Sequence, residues 1–308
     1  MLVERLLSDK TDLDLLRSCA VALGRIASIE DVEVVDALGR AAARVGDEQT
    51  RRFAVMALAE IGRRDPDPAA HPEQQRALQQ RFVRELQHAR PITGVPWGAI
   101  ALGVWARNPR VDKALLAEAQ GKLTDELTNL SNPSHRAATA VALGLADAKE
   151  SRGQLLDLFE DEKNQVLKSY VAIGLGLMDA RDAAEPLRAA MAAKGLDPTL
   201  RLQVARALGL LGDRQAVAAL VENLKQADTL GETSATAQSL GLIGDREAVD
   251  PLLAILGDVR QPALRRGFAA VGLGLLAEKG ELPWNTPFTI GANYRAKTPA
   301  LAEIFDIL

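Results

Sequence analysis

With one cysteine, Cys19, this 308-residue chain cannot close an intrachain disulfide, so its fold does not depend on an oxidising compartment. Its three histidines, His71, His88 and His135, are scattered, and none has a glutamate beside it to seed a metal centre. Aromatics make up only 4% of the residues, less than a large compact enzyme core is usually filled with. A thin, two-layer helical body does without them. Cationic surplus is missing too: 37 Lys and Arg stand against 41 Asp and Glu, a formal charge of −4 with a pI near 5.6. A nucleic-acid binder ordinarily carries the opposite balance, because released counterions supply most of its non-specific affinity. No run reaches the roughly 20 apolar residues that a bilayer span needs. The opening Met1-Leu-Val-Glu-Arg5 lacks a signal-peptide layout. These absences predict a cytoplasmic chain with no cofactor, no metal, no nucleic-acid ligand and no membrane association.

What is present is repetition. A small residue, Leu, then Gly or Ala recurs inside Ala-rich helical stretches, with its leucines at Leu23, Leu58, Leu102, Leu143, Leu175, Leu208, Leu240 and Leu273. The intervals are 35, 44, 41, 32, 33, 32 and 33 residues, so the last four are nearly constant. Within one unit, Leu202, Val204, Ala205, Leu208 and Leu211 cover one face at helical spacing. Gly212-Asp213 then ends that helix, and a second runs from Gln215 to Lys225 with Val217, Leu220, Val221 and Leu224 inward. Pro186 and Pro251 fall early in second helices, where a missing N–H is tolerated. A glycine follows seven of the eight marker leucines, Ala59 being the exception. Mid-helix glycine costs about 1 kcal/mol against alanine, so its recurrence predicts a closely approaching neighbour helix.

Gly212-Asp213-Arg214-Gln-Ala-Val-Ala-Ala-Leu220 and Gly244-Asp245-Arg246-Glu-Ala-Val-Asp-Pro-Leu252 resemble the HEAT repeat, in the short form of the phycobiliprotein-lyase-type HEAT proteins. The resemblance covers about 1–278 and is strongest over 133–278. It implies an all-α fold: an α-solenoid, a right-handed superhelix of about eight HEAT-like helix pairs over 1–280, with an extended, non-repetitive C-terminal strap over 281–308. It also implies that the cations seven residues before the marker leucines (Arg51, Arg136, Lys168, Arg201, Arg266) pair with Asp179, Asp213 or Asp245 of adjacent repeat turns. The family spans scaffolds, adaptors and enzymes, so it predicts fold better than function. Deoxyhypusine hydroxylases resemble this architecture but carry repeated His-Glu pairs for a di-iron centre, and no His-Glu dipeptide occurs here. HEAT-like DNA glycosylases need a cationic concave groove. The second helices carry mixed charge: +2 over 73–90, −2 over 149–163 and −2 over 246–258.

The repeats are irregular in three places. Leu2 to Asp9 reads as a second helix without its first, either a half-repeat cap or the C-terminal part of a longer protein, in which any upstream targeting signal would precede Met1. The Pro/Asp segment 63–72, the long polar helix 73–90 and the connection 91–97 expand the second and third units, where solenoid insertions often form the binding face. The strap holds four of the chain's eleven aromatics, and Pro283, Pro287 and Pro299 break any continuous helix there. It reads as a cover for the last repeat or a docking tail. Cys19 reads as a small buried hydrophobe.

No catalytic constellation emerges. The expectation is a non-catalytic interaction scaffold that binds another protein through its concave face and irregular loops, with self-association through the N-terminal end or the strap. Candidate partner-binding residues are Trp97, Arg81, Arg84, Trp284, Phe288, Tyr294 and Phe305. The alternatives are a lyase-like enzyme or enzyme subunit acting on a protein-bound substrate, or a structural segment of a longer HEAT protein. Trp97 has a second reading, as a core residue packed on Trp105.

Overall fold

The computed structural model describes residues 1–8, 12–89, 92–193, 196–227 and 229–277. These residues form sixteen α-helices and no strand. In chain order they are α1 (Leu2–Leu6), α2 (Leu13–Ile26), α3 (Val32–Arg44), α4 (Glu48–Arg63), α5 (Pro72–His88), α6 (Val95–Ala106), α7 (Lys113–Asn129) and α8 (Pro133–Leu145). There follow α9 (Arg152–Asp161), α10 (Gln165–Leu177), α11 (Ala184–Ala192), α12 (Pro198–Leu210), α13 (Val217–Gln226), α14 (Leu230–Ile243), α15 (Val249–Gly257) and α16 (Ala263–Ala277). Single 3-10 turns lead into α6, α9, α11, α13 and α15. The chain divides into two compact units, one over 1–146 and one from 147 onward. The expected strap over 281–308, with its boundary and its four aromatic candidates, lies outside the described residues.

Each odd-numbered helix packs against the even-numbered helix that follows it, giving eight antiparallel pairs from α1/α2 to α15/α16. This is the α-solenoid predicted from the repeat. The even-numbered helices also pack on one another, α2 on α4 on α6 on α8 in the first unit and α10 on α12 on α14 on α16 in the second. Marker leucines from Leu23 to Leu240 are buried at those contacts, and Leu273 is partly covered.

The repeated phrase has a geometric cause. A Cβ on Gly103 would stand 2.8 Å from the Cα of Ala142, and one on Gly209 would stand 3.0 Å from the Cα of Ser239. The residues met are those just before the next marker leucine. The small residue that opens one phrase therefore seats on the glycine that closes the previous one, and helix backbones come closer than any side chain would allow.

Helix ends are fixed by side chains. Asp12, Asp47, Asn132, Asn164, Asp197 and Thr229 accept from the free N–H groups that open α2, α4, α8, α10, α12 and α14. Four residues after successive marker leucines the backbone turns left-handed, at Asp147, Asp179, Gly212 and Gly244. The periodic cations do not form the predicted ladder with aspartates. Arg51 donates to the Val45 carbonyl at 2.8 Å, Arg136 to Leu127 at 3.1 Å, Lys168 to Glu160 at 3.4 Å and Arg266 to Leu256 at 2.9 Å. Each reaches back to the end of the preceding helix, where carbonyls lack partners and the helix dipole favours a cation. Arg201 is the exception and faces Glu232 at 3.8 Å. The turn aspartates take other arginines: Arg188 meets Asp213 at 2.6 Å, Arg181 meets Asp179 at 2.6 Å and Arg214 meets Asp245 at 3.8 Å.

Candidate active site

The Pro/Asp segment expected to present a binding loop is instead tied into the first unit. Asp65 is buried and accepts from Gln75 Nε2 at 2.7 Å, and the His71 ring lies 3.2 Å from it. Asn108 donates to the Gly62 and Asp65 carbonyls, and Trp105 donates to Gln75 at 2.6 Å. This network fixes where α5 begins.

At the other end of α5, Gly98 of α6 lets the helices touch: a Cβ there would lie 2.4 Å from the Leu86 nitrogen. Held at both ends, α5 leaves open space toward α3 and α4. One cavity of about 570 Å³ lies between Glu48, Arg51, Arg52 and Val55 of α4 and Arg81, Arg84, Glu85 and His88 of α5, with Gly94 and Trp97 behind. A second, of about 700 Å³, lies between the α3 face Val35, Asp36, Gly39, Arg40 and Ala43 and the same α5 face, sharing Arg81 and Arg84. The contributing residues recur at i, i+3, i+4 and i+7, so each wall is a single helix stripe.

Five arginines line the two spaces against three carboxylates, two in excess, within a chain of net charge −4. Arg51 is engaged with the Val45 and Gly46 carbonyls. Arg52 pairs closely with Glu48 and lies over the Trp97 ring, 5.6 Å from its centre. The two carboxyls differ in state. A close hydrogen bond from the Thr93 hydroxyl, reinforced by Arg52, holds Glu48 below the usual carboxylate range. Burial pushes Glu85 up, only partly offset by Arg81, Arg51 and Arg84. Burial also lowers Arg81, and the charge of Arg84 adds to that. Glu48 is thus shifted toward its ionised form and Glu85 toward its protonated form across one cavity.

Of the candidate residues, Arg81 and Arg84 are brought together here. Trp97 is not an exposed anchor. It is 1% exposed, and it packs on Phe53, with ring centres 6.1 Å apart, rather than on Trp105. Trp284, Phe288, Tyr294 and Phe305 lie outside the described residues. Sequence reading missed Glu48 and Glu85, although the 48/51/52/55 and 81/84/85/88 spacings were there to be seen. His135 is buried near the start of α8, and burial lowers its ring pKa. Cys19 is buried and its thiol is pushed up by burial. No helix among the described residues is long and apolar enough to cross a membrane.

Two family models match the chain: HEAT repeats over residues 154–236 and the PBS lyase HEAT-like repeat over 234–258. A comparison with curated proteins finds no match. Among solved structures, the complex of CpcE and CpcF of phycocyanin lyase from Nostoc sp. PCC7120 is similar at 18% identity and a TM-score of 0.42, over 89% of this chain and 92% of that one. Human deoxyhypusine hydroxylase in complex with glycerol is similar at 16% identity and a TM-score of 0.36, over 89% and 94%. The expectation of a chain without catalysis is corrected here. The repeat matched at 234–258 is the PBS lyase HEAT-like repeat. The chain thus carries HEAT repeats over 154–236 and a repeat of the PBS lyase HEAT-like kind at 234–258.

Proposed function

We propose that the chain is a lyase-like enzyme, or a subunit of one, acting on a group carried by another protein. The observation that carries this reading is the pair Glu48 and Glu85, whose surroundings drive their carboxyls in opposite directions across one arginine-lined cavity. A cavity of about 570 Å³ has the size of a small-molecule site. The PBS lyase HEAT-like repeat supports the lyase class. In this reading Glu85 supplies a proton to the leaving or accepting atom, and Glu48 remains charged. Arg81 and Arg84 stabilise negative charge on the reacting group. The carrier docks on the rim of the cavity, so its group enters while still attached.

The test uses phycocyanin in chromophore-bearing and chromophore-free forms, incubated with the full chain in a lysate of its source cells, which supplies any partner subunit. Chromophore on the carrier is followed by visible absorbance and by gel fluorescence. The intact chain is expected to change the amount attached, and Glu85→Gln to slow that change by about 10²–10⁴-fold. Chromophore content indifferent to the intact chain contradicts the reading.

A further inference from the structure

Of the five arginines in the cavities, Arg40, Arg81 and Arg84 are the ones not engaged with the protein, and Arg40 is exposed at the edge of the second cavity. Arg51 and Arg52 are engaged within the protein, with the Val45 and Gly46 carbonyls and with Glu48. Among the described residues, Arg81 and Arg84 make no hydrogen bond and have no carboxylate within ion-pair distance. Arg81 is nonetheless half-buried, a state in which a guanidinium with five donors is unfavourable unless an acceptor meets it. Its position is also built. Arg81 Nη2 lies 3.2 Å from where a Cβ on Gly39 would stand, so the glycine on α3 leaves the room this guanidinium occupies. Arg81 and Arg84 line both cavities and are one helical turn apart on α5. The charge they act on within the protein is Glu85 on the same helix, which lies beyond ion-pair distance.

We propose that Arg81 and Arg84 form an oxyanion clamp, and that the group bound in the unit-1 cavity carries a carboxylate or a phosphate held between them. Two guanidinium forks match either oxyanion in bidentate geometry. This specifies the substrate class of the site under Proposed function and rests on that reading for the role of the ligand, though binding itself requires no turnover. Gly39 is a positioning residue: it touches no ligand and acts through the seat it leaves for Arg81.

The experiment is calorimetric titration of the full-length chain with succinate and, separately, with inorganic phosphate at low ionic strength. The expected result is saturable binding of one of them, which also identifies the oxyanion. Arg84→Gln, at an exposed position that leaves packing untouched, is expected to weaken it by about tenfold or more. Arg81→Gln is expected to do the same, and Gly39→Val to weaken it by displacing Arg81. Circular dichroism establishes that each variant remains helical. Binding of neither anion by the intact chain overturns the clamp, as does binding unchanged in Arg84→Gln. A chain that binds an oxyanion but never alters its carrier keeps the clamp and removes the lyase reading.

Discussion

At the residue scale, glycines in this chain do opposite things at similar helical positions. Gly103 meets the Ala142 backbone, whereas nothing lies within 4 Å of the Cβ position on Gly121 among the described residues. Gly103→Ala is expected to destabilise the protein by about 1–3 kcal/mol through overpacking. Gly121→Ala is expected to stabilise it by about 0.5–1 kcal/mol, because only helix propensity changes. Urea denaturation of the two variants checks both signs. Gly244, with φ 68°, ends α14 in the left-handed region, and Gly244→Ala is expected to cost about 1–2 kcal/mol in the same assay. His135 supplies a pH dependence. Burial lowers its folded pKa below the ordinary 6.5, so as pH falls the unfolded chain takes up the proton first. Its effect is absent above about pH 7 and stability declines as pH drops through 6.5. In His135→Gln, melting temperatures are expected to lose that part of the decline between about pH 7 and 5. The glycine contacts were foreshadowed by recurrence in the sequence. The burial of Trp97 was one of its two sequence readings, but its partner was not legible, because helical spacing points to Trp105 on the same helix and not to Phe53 of α4.

At the element scale, the repeat was readable because helical periodicity and glycine punctuation act over a few residues. The cation column was read in the right place with the wrong partner. A side chain's spacing along a helix does not reveal whether its head meets a carboxylate of the next turn or the carbonyls ending the helix before. Arg136→Gln is expected to destabilise the first unit by about 0.5–1 kcal/mol through loss of its bond to the end of α7, measured by thermal unfolding. The candidate site is an element-level object as well. The α4 and α5 stripes were present in the sequence. Their facing each other follows from the Asp65 network at one end of α5 and the Gly98 contact at the other, which join residues 10 to 46 positions apart. Gly98→Ala is therefore expected to lose oxyanion binding together with stability, because the Leu86 backbone must move to admit a methyl group.

At the scale of the whole molecule, composition pointed away from catalysis, and that inference failed for a physical reason. A two-layer solenoid needs few aromatics whether or not it carries a site, and a site of arginines and glutamates needs neither histidine nor cysteine. The net charge of −4 likewise hid a groove where five arginines face three carboxylates. The central claim is that Glu85 acts as the acid of this groove, facing Arg81, Arg84 and His88 on its own helix and Glu48, Arg51 and Arg52 across the cavity. Its most direct test is the pH profile of chromophore transfer to or from the carrier, for the intact chain and for Glu85→Gln. The account predicts a rate that falls as pH rises through a pKa above the ordinary glutamate value of about 4.3, and a Glu85→Gln profile without that limb. A limb that persists in Glu85→Gln at undiminished rate would contradict it.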